Sequence, residues 1–212
     1  SHELKNPIAA IRASSEVLAD ALESDPRSAR HFLARIEEAA LKLDHLTADL
    51  LTLARVEAHG QVRRAGRIDL RDVLHKAIAT LRIVAEERSL TFLAHAPEAA
   101  AVRGEAPALQ RAIENLLQNA CTYAPPGSVV EARIEQAGRE LALLVLDRGP
   151  GVDPAVAARA FERFTTTRQT QGGTGLGLAI VRAVAEAHGG RAELRPRAAD
   201  GVTTFALVLP VD

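Results

Sequence analysis

The chain has 212 residues, of which 47% are hydrophobic and 25% charged, and its formal net charge is −1. This length suits one large domain or two modest ones, and the near-neutral charge excludes a general electrostatic attraction to nucleic acid or anionic membranes. Its one cysteine, Cys121, excludes an intrachain disulfide, and no apolar run reaches the ~20 residues that span a bilayer. Because the chain also lacks methionine, even at position 1, we expect it to be a piece of a longer protein.

Two heptad series open the chain. Apolar or small residues recur at alternating steps of four and three over residues 4–22 and again over 32–53, on either side of Ser24-Asp25-Pro26. This spacing predicts a helical hairpin with a coiled-coil-like seam over residues 1–59. Four further residues widen the apolar face: Leu33, Ala40, Thr47 and Ala54. One hairpin cannot bury so wide a face alone, so we expect two hairpins to form a four-helix bundle in a homodimer.

The remainder of the chain has a different pattern. Residues 60–67 contain glycine and arginine but no apolar period, and this predicts a linker. Over residues 68–212 the pattern predicts helices at 70–88, 107–123 and 174–187, and strands at 90–94, 129–135, 141–146, 191–195 and 203–209. Mixed elements of this kind favour a two-layer α/β sandwich with helices on one face of a sheet. The predicted fold class is therefore α+β, a helical hairpin followed by an α/β sandwich.

A glycine-rich run, Gly172-Gly173-Thr174-Gly175-Leu176-Gly177, directly precedes an apolar helical stretch. Glycine has no Cβ to block a ligand and tolerates positive φ, and a helix start offers N–H groups to an anion. The run therefore fits a phosphate-binding turn. Glycine-rich turns also serve purely structural ends, so the run alone is weak evidence.

Two polar signals precede that run. Asn115 and Asn119 are four residues apart and share one helix face, and their amide oxygens suit Mg²⁺. Asp147 ends an apolar strand before Gly149 and Gly151, where a carboxylate could accept a hydrogen bond from an exocyclic amine such as that of adenine. Taken separately, each is more typical of an ordinary feature, a surface or capping asparagine and a strand-to-loop turn. Their order and spacing together are much more specific.

Five segments together resemble the signature boxes of the sensor histidine kinases of two-component systems, within the GHKL ATPase superfamily. They are SHELKNP at 1–7 (H box), NLLQNA at 115–120 (N box), DRGPG at 147–151 (G1 box), FERF at 161–164 (F box) and GTGLGL at 173–178 (G2 box). The resemblance covers essentially the whole chain. It implies a dimerisation and phosphotransfer hairpin followed by an ATP-binding domain of the Bergerat type.

The resemblance implies a site for Mg²⁺-ATP. Asn119 would ligate Mg²⁺, Asn115 would stand by the phosphates, and Asp147 would accept a hydrogen bond from the adenine amino group. The other adenine-side positions are Tyr123, Gly149, Gly151 and Thr204. The phosphate-side positions are Gly173, Gly175, Leu176 and Gly177, with Arg163 and Arg168 as cations of a short polar lid. ATP-hydrolysing relatives carry a water-activating glutamate at the position of Asn115, and an amide cannot take that proton.

The resemblance makes His2 the phosphoacceptor. His2 lies two positions before Leu4, about 200° around the helix from the seam, so it should face outward. A neutral imidazole is nucleophilic near neutral pH, and Glu3 could take its proton. Glu3 and Asn6 resemble the pair that orients water to dephosphorylate a partner response regulator. Without the other boxes, a frayed terminal histidine and ordinary first-turn polar residues would be the simpler interpretation.

The resemblance implies the cytoplasmic portion of an inner-membrane sensor, attached to the membrane only through upstream segments. Its implied partners are a response regulator receiver domain and a second copy of itself, with no nucleic acid. One departure is Thr122, where the family often has a basic residue. Three alternatives stay open: a non-catalytic nucleotide-binding scaffold, an ATPase of the chaperone or gyrase type, and a protein that acts mainly as a phosphatase toward its regulator.

Overall fold

The structure is a computed structural model that describes residues 2–59, 66–166, 174–195, 197 and 201–211. Within these ranges the side chains of six helical residues are not described: His2, Glu3, Glu23, Ser24, Glu57 and His59. Several predictions therefore lie outside the described residues. These are the side-chain roles of His2 and Glu3, most of the linker (60–65), and the assignments of Arg168 and Gly173.

The chain divides into two compact units, one containing residues 1–51 and the other Thr52–Thr166 with Gly175–Asp212. The first unit is helical, as predicted, with α1 over His2–Ser24 and most of the long helix α2, which spans Pro26–His59 and whose residues from Thr52 on are grouped with the second unit. Asp25 alone separates the two helices. Its carboxylate accepts hydrogen bonds from the Arg27 amide at 3.0 Å and the Ser28 hydroxyl at 2.7 Å, while Pro26 takes the first helical position. This is a strong N-cap signal.

The heptad period is visible in the burial of both helices. In α1 the buried positions are Pro7, Ser14 and Ala21, and in α2 the same seven-residue spacing gives Ala39, Leu46 and Leu53. Other apolar residues of these helices stay exposed in the single chain: Ile8, Val17, Leu22, Leu33, Leu41, Leu50 and Leu51. The three further positions predicted to widen the apolar face, at 40, 47 and 54, are exposed as well.

The second unit is the predicted α/β sandwich. Its elements are β1 Gly66–Asp69, α3 Leu70–Glu87, β2 Thr91–His95, β3 Ala101–Gly104, α4 Ala106–Tyr123, β4 Val129–Ala137, β5 Glu140–Asp147, α5 Pro154–Ala157, α6 Gly177–Ala187, β6 Arg191–Arg195 and β7 Thr203–Pro210. Five strands form one sheet in the order β2-β4-β5-β7-β6, parallel between β2 and β4 and antiparallel elsewhere.

Strands β1 and β3 form a separate antiparallel pair that the periodicity did not predict. Gly66 and Arg67, placed in the linker from the sequence, begin β1 and pair with Gly104 and Arg103. The pairing joins segments about 35 residues apart, so no local pattern announces it. Helix α6 begins at Gly177 rather than at the predicted residue 174.

The core follows from strand alternation. On β5 and β7 the odd-numbered residues pair as Leu143 with Leu207 and Val145 with Phe205, and all four are buried with the apolar faces of α3, α4 and α6. The even-numbered residues of these two strands form a separate, smaller cluster on the opposite face. Asp147 and Thr203 are the last odd-numbered pair, at the end of strand β5 and the start of strand β7. The main core therefore ends in a polar pair.

Shortening Leu143 tests this packing. Leu143 is fully buried, and Leu143→Ala should lower the free energy of unfolding by about 2–5 kcal/mol because it leaves a cavity in the core. Leu93→Ala is the control, since that side chain is 45% exposed and should change the free energy by less than about 0.5 kcal/mol. Urea denaturation followed by circular dichroism measures both, and equal losses in the two variants would contradict the assigned core.

Candidate functional site

Asp147 is a buried carboxylate at the carboxyl end of β5, only 3% exposed. It accepts a hydrogen bond from the Gly149 amide at 2.7 Å. Burial raises the pKa of this carboxyl above its ordinary value, while the Gly149 N–H and the positive charge of Arg197 oppose the rise. A carboxylate with acceptor capacity beyond one short backbone bond fits recognition of a hydrogen-bond donor.

Glycine is required where the chain turns after Asp147. A Cβ built on Gly149 would lie 2.6 Å from the Asp147 Oδ1 atom and 2.9 Å from the Tyr123 carbonyl oxygen, too close for any side chain. Gly151 has a φ of +86°, which side-chain-bearing residues rarely adopt. The turn therefore presses its backbone against the end of α4, where the half-buried Tyr123 stands.

Thr203 faces the same place from the neighbouring strand. In the β5–β7 register Thr203 pairs with Asp147, whereas Thr204 pairs with Leu146 and so points to the opposite face of the sheet. Thr203 is 5% exposed, and within the described part of the chain its buried hydroxyl oxygen has no hydrogen-bond partner. Leaving such a group unsatisfied costs about 1–3 kcal/mol, so this hydroxyl is available for a hydrogen bond to a ligand or to water. The sequence pointed to Thr204, one position away.

Asn115 and Asn119 occupy α4, where both are half-buried. The side-chain Nδ2 atom of Asn115 donates to the Arg111 carbonyl at 3.1 Å, so the Oδ1 atom of Asn115 takes no part in this bond. A Cβ built on Gly177 would lie 2.9 Å from that oxygen. The first residue of α6 therefore packs closely against Asn115 of α4, so one G2-box residue lies next to one N-box residue.

The F box, residues 161–164, lies next to the described part of the glycine-rich run. The Phe164 amide donates to the Gly175 carbonyl at 2.8 Å, and both residues have positive φ, +63° and +65°. Phe161 packs edge-on against Phe205 of β7, with ring centroids 6.1 Å apart. Leu176 is fully buried before α6. These contacts fix the positions of Phe164 and Gly175, which lie on either side of the predicted lid in the sequence, and Arg163 is exposed.

The carboxyl end of α4 is held by an arginine that the sequence did not single out. Arg88, just after α3, donates to the Thr122 carbonyl at 2.6 Å and the Ala124 carbonyl at 3.2 Å, and also to the Cys121 carbonyl. A cation on the last carbonyls of a helix is favourable. Arg88 thereby fixes the helix end that carries Tyr123. Its partners lie more than 30 residues away, so no sequence motif marks it.

Mg²⁺ would need oxygen ligands here. In the ranges that the structure describes, no group of three His, Cys, Asp or Glu side chains could hold a metal ion. Amide oxygens of the kind Asn119 carries, completed by phosphate oxygens and water, fit the preferences of Mg²⁺. In the other unit, Asn6 lies exposed in the first turns of α1. No helix among the described residues has the length and apolarity needed to cross a membrane.

Comparison with known families identifies the class of protein. Residues 104–212 match the family described as histidine kinase-, DNA gyrase B- and HSP90-like ATPase, and residues 1–59 match the His kinase A phospho-acceptor domain. The two matches together cover most of the chain. The chain belongs to the sensor histidine kinase family.

Individual relatives agree with this. The chain is 35% identical to the probable sensor histidine kinase TcrY of Mycobacterium tuberculosis, over 100% of the chain and 44% of that protein. It is 32% identical to the sensor-like histidine kinase SenX3 of the same species, over 99% of the chain and 52% of that protein. The chain therefore spans about half the length of the curated relatives it matches.

Solved structures support the fold. The histidine kinase AdeS of Acinetobacter baumannii superposes with a TM-score of 0.78 at 22% identity, covering 100% of this chain and 98% of the other. The mycobacterial sensor histidine kinase MprB gives a TM-score of 0.59 at 33% identity, covering 69% of this chain and 97% of the other. The predicted fold class is confirmed.

Replacing Asp147 by asparagine should change the thermal stability and the nucleotide affinity in opposite directions. Because the pKa of Asp147 is raised in the folded protein, its ionised form disfavours folding. This penalty grows as the pH rises above the pKa of the unfolded chain and is complete above the folded pKa. We expect Asp147→Asn to raise the melting temperature of the nucleotide-free protein at neutral pH, by roughly 2–4 °C for each kcal/mol relieved. Its affinity for adenine nucleotides should fall at least about tenfold.

Differential scanning fluorimetry and a nucleotide-displacement assay measure the two effects. The gain in melting temperature should shrink as the pH is lowered, because the wild-type carboxyl then becomes protonated and neutral. A variant that melts lower than wild type at neutral pH would contradict the assigned cost of burying this charge.

Proposed function

We propose that the chain is the catalytic core of a sensor histidine kinase. Its α/β unit would bind Mg²⁺-ATP, and the terminal phosphoryl group would pass to His2 and then to an aspartate in the receiver domain of a partner response regulator. The observation that supports nucleotide binding most directly is the buried Thr203 hydroxyl, which has no hydrogen-bond partner among the described residues and lies beside the buried Asp147 carboxylate. Family membership supports the phosphotransfer.

The adenine would lie at the end of the main core. Asp147 would accept a hydrogen bond from the exocyclic amino group, and Thr203 would satisfy its hydroxyl on the base. Gly149 and Gly151 would let the turn backbone approach the ring, with Tyr123 on the opposite side. The apolar ladder that ends in this polar pair would receive the flat base and exclude water from it, which strengthens both hydrogen bonds.

The phosphates would lie between α4 and the start of α6. The N–H groups around Gly175, Leu176 and Gly177 would contact phosphate oxygens, since a helix N-terminus favours an anion. Asn119 would hold Mg²⁺, which when bound neutralises phosphate charge. Asn115 has no carboxylate with which to activate water, and this favours transfer to a side chain over hydrolysis.

Phosphotransfer would use the H box. An imidazole nitrogen of His2 would form a bond to the terminal phosphorus while the bond to the bridging oxygen of ADP breaks. Glu3 would take the proton from the other ring nitrogen. In a separate phosphatase activity, Glu3 and Asn6 would orient water to dephosphorylate the regulator. Residues 1–59 would form the phosphotransfer domain, 60–67 the linker and 68–212 the ATP-binding domain, at the cytoplasmic side of a membrane-anchored sensor.

Labelling with γ-labelled ATP and Mg²⁺ tests the proposal on a form of the chain extended upstream of His2. Acid-labile label should appear on wild type, and His2→Gln and Asn119→Ala should each abolish it. His45→Gln is the matched control, because His45 is exposed on α2 and belongs to no box, and it should keep the label.

The other outcomes identify the alternatives. Label that survives in His2→Gln, or label stable to acid, would refute the assigned acceptor. Steady-state hydrolysis without phosphoprotein would indicate an ATPase of the chaperone or gyrase type, and nucleotide binding without label or hydrolysis would indicate a scaffold. Loss of phosphate from a phosphorylated regulator, without labelling of the chain, would indicate a phosphatase.

The homodimer has its own test. Leu33 and Leu50 are exposed apolar residues of α2, and in a two-fold bundle each substitution would act twice. We expect light scattering to give a dimer mass for wild type and a monomer mass for the Leu33→Glu/Leu50→Glu variant at micromolar concentration. Leu93→Glu, on the other unit, should stay dimeric. A monomeric wild type would contradict the bundle.

A further inference from the structure

Arg197 lies between β6 and β7 in the sequence, and its side chain reaches the turn after β5. Its Nη2 atom donates to the Gly149 carbonyl at 2.9 Å, and its Nε atom donates to the Gly201 carbonyl at 3.1 Å. Its side chain also lies against Gly151, where a Cβ would come within 3.1 Å of the Arg197 Cδ atom. One exposed arginine thus connects Gly201 to Gly149, which lies 48 residues before Arg197 in the sequence.

These bonds hold Gly149 from both sides. The Gly149 N–H is donated to the Asp147 carboxylate, and the Gly149 carbonyl is held by Arg197. A guanidinium presents its donors in a fixed planar fork, so two carbonyls bound to one fork have little freedom to move relative to each other. The orientation of the carboxylate therefore depends on the arginine, which acts on it through Gly149.

The charge of Arg197 acts on the same carboxylate. Burial alone would favour the protonated form of Asp147, and the arginine lowers the pKa of that carboxyl against this effect. The described groups that bond to Asp147, pair with it or lie beside its turn from other directions are neutral: the Gly149 N–H, the Thr203 hydroxyl on β7 and the Tyr123 carbonyl at the end of α4. Arg148, the next residue in the chain, is exposed. An ionised carboxylate only accepts hydrogen bonds, whereas a protonated carboxyl keeps less acceptor capacity and carries a donor of its own, so the ionised form is the better partner for an amine.

We propose that Arg197 is a positioning residue of the nucleotide site, which holds the turn over residues 147–151 and keeps Asp147 ready to accept a hydrogen bond from the 6-amino group of a purine. The inference rests on the proposed function, since it deepens the same site. No signature box contains Arg197, and its loop position gave no reason to single it out from the sequence. Its contribution would be to affinity and to selection for a base that carries an amino group.

Two substitutions separate the charge from the hydrogen bonds. Arg197→Gln removes the charge, and Arg197→Lys keeps the charge but lacks the fork that binds two carbonyls. Arg139→Gln is the control, an exposed arginine in the turn between β4 and β5. ATP affinity is measured by displacement of a fluorescent adenine nucleotide from acidic to neutral pH, so the readout requires no phosphotransfer.

We expect Arg197→Gln to lower ATP affinity roughly tenfold at neutral pH, as for one charge-assisted hydrogen bond, and to move the acidic loss of affinity to higher pH. Arg197→Lys should weaken binding several-fold at every pH without moving that midpoint, and Arg139→Gln should match wild type. A purely structural arginine would lower the melting temperature and leave the pH midpoint in place.

Wild-type affinity and pH midpoint in Arg197→Gln would overturn the inference. Wild-type affinity at every pH in Arg197→Lys would also overturn the clamp on two carbonyls, and this holds even if the glutamine variant does not fold. Failure of the proposed function is distinguishable, because in that case the wild-type protein itself would not bind ATP.

Discussion

The buried carboxylate of Asp147 is the constraint on which the nucleotide-binding unit depends. A charge placed almost wholly out of water is tolerated only where hydrogen bonds and nearby charges compensate for the lost solvation. Here the Gly149 N–H and the Arg197 guanidinium do so, and the first of these requires a turn that only glycine can make. The Thr203 hydroxyl, unpartnered among the described residues, adds a second polar group at the same edge. The end of the core therefore offers two polar groups to a ligand with complementary ones.

The part of the site proposed to bind the phosphates depends instead on how helices α4 and α6 pack against each other. Gly177 of α6 packs against Asn115 of α4 at the amino end of α6, and at its other end α6 is tied to the start of α4 by His188. The buried imidazole of His188 contacts the Val184 carbonyl at 2.7 Å and accepts a hydrogen bond from the Glu105 amide at 3.1 Å. Burial lowers the pKa of His188 and keeps it neutral, which leaves one ring nitrogen as donor and the other as acceptor. The asparagine face and the glycine turn are thus held in register by contacts at both ends of α6.

The features that were predicted from the sequence are those that leave a local signature. Heptad spacing indicated α1 and α2, and the order of the five boxes indicated the family and predicted one site with Asn115, Asp147 and Gly177. Of these three, the structure brings Gly177 next to Asn115. The β1–β3 pair, the choice of Thr203 over Thr204, and the roles of Arg88 and Arg197 all depend on pairings between distant segments. Strand register decides which of two adjacent threonines faces Asp147, and it is set by the folded sheet rather than by either residue.

The interaction to test first is the hydrogen bond that Asp147 would accept from the exocyclic amino group of adenine. Its most direct test compares the affinity of the wild-type protein for ATP and for purine riboside triphosphate, which differs only by lacking the 6-amino group. A site that leaves a buried carboxylate unpaired should reject the second nucleotide, and we expect affinity to fall at least about tenfold. Equal affinity for the two nucleotides, measured by calorimetry under the same conditions, would contradict the account.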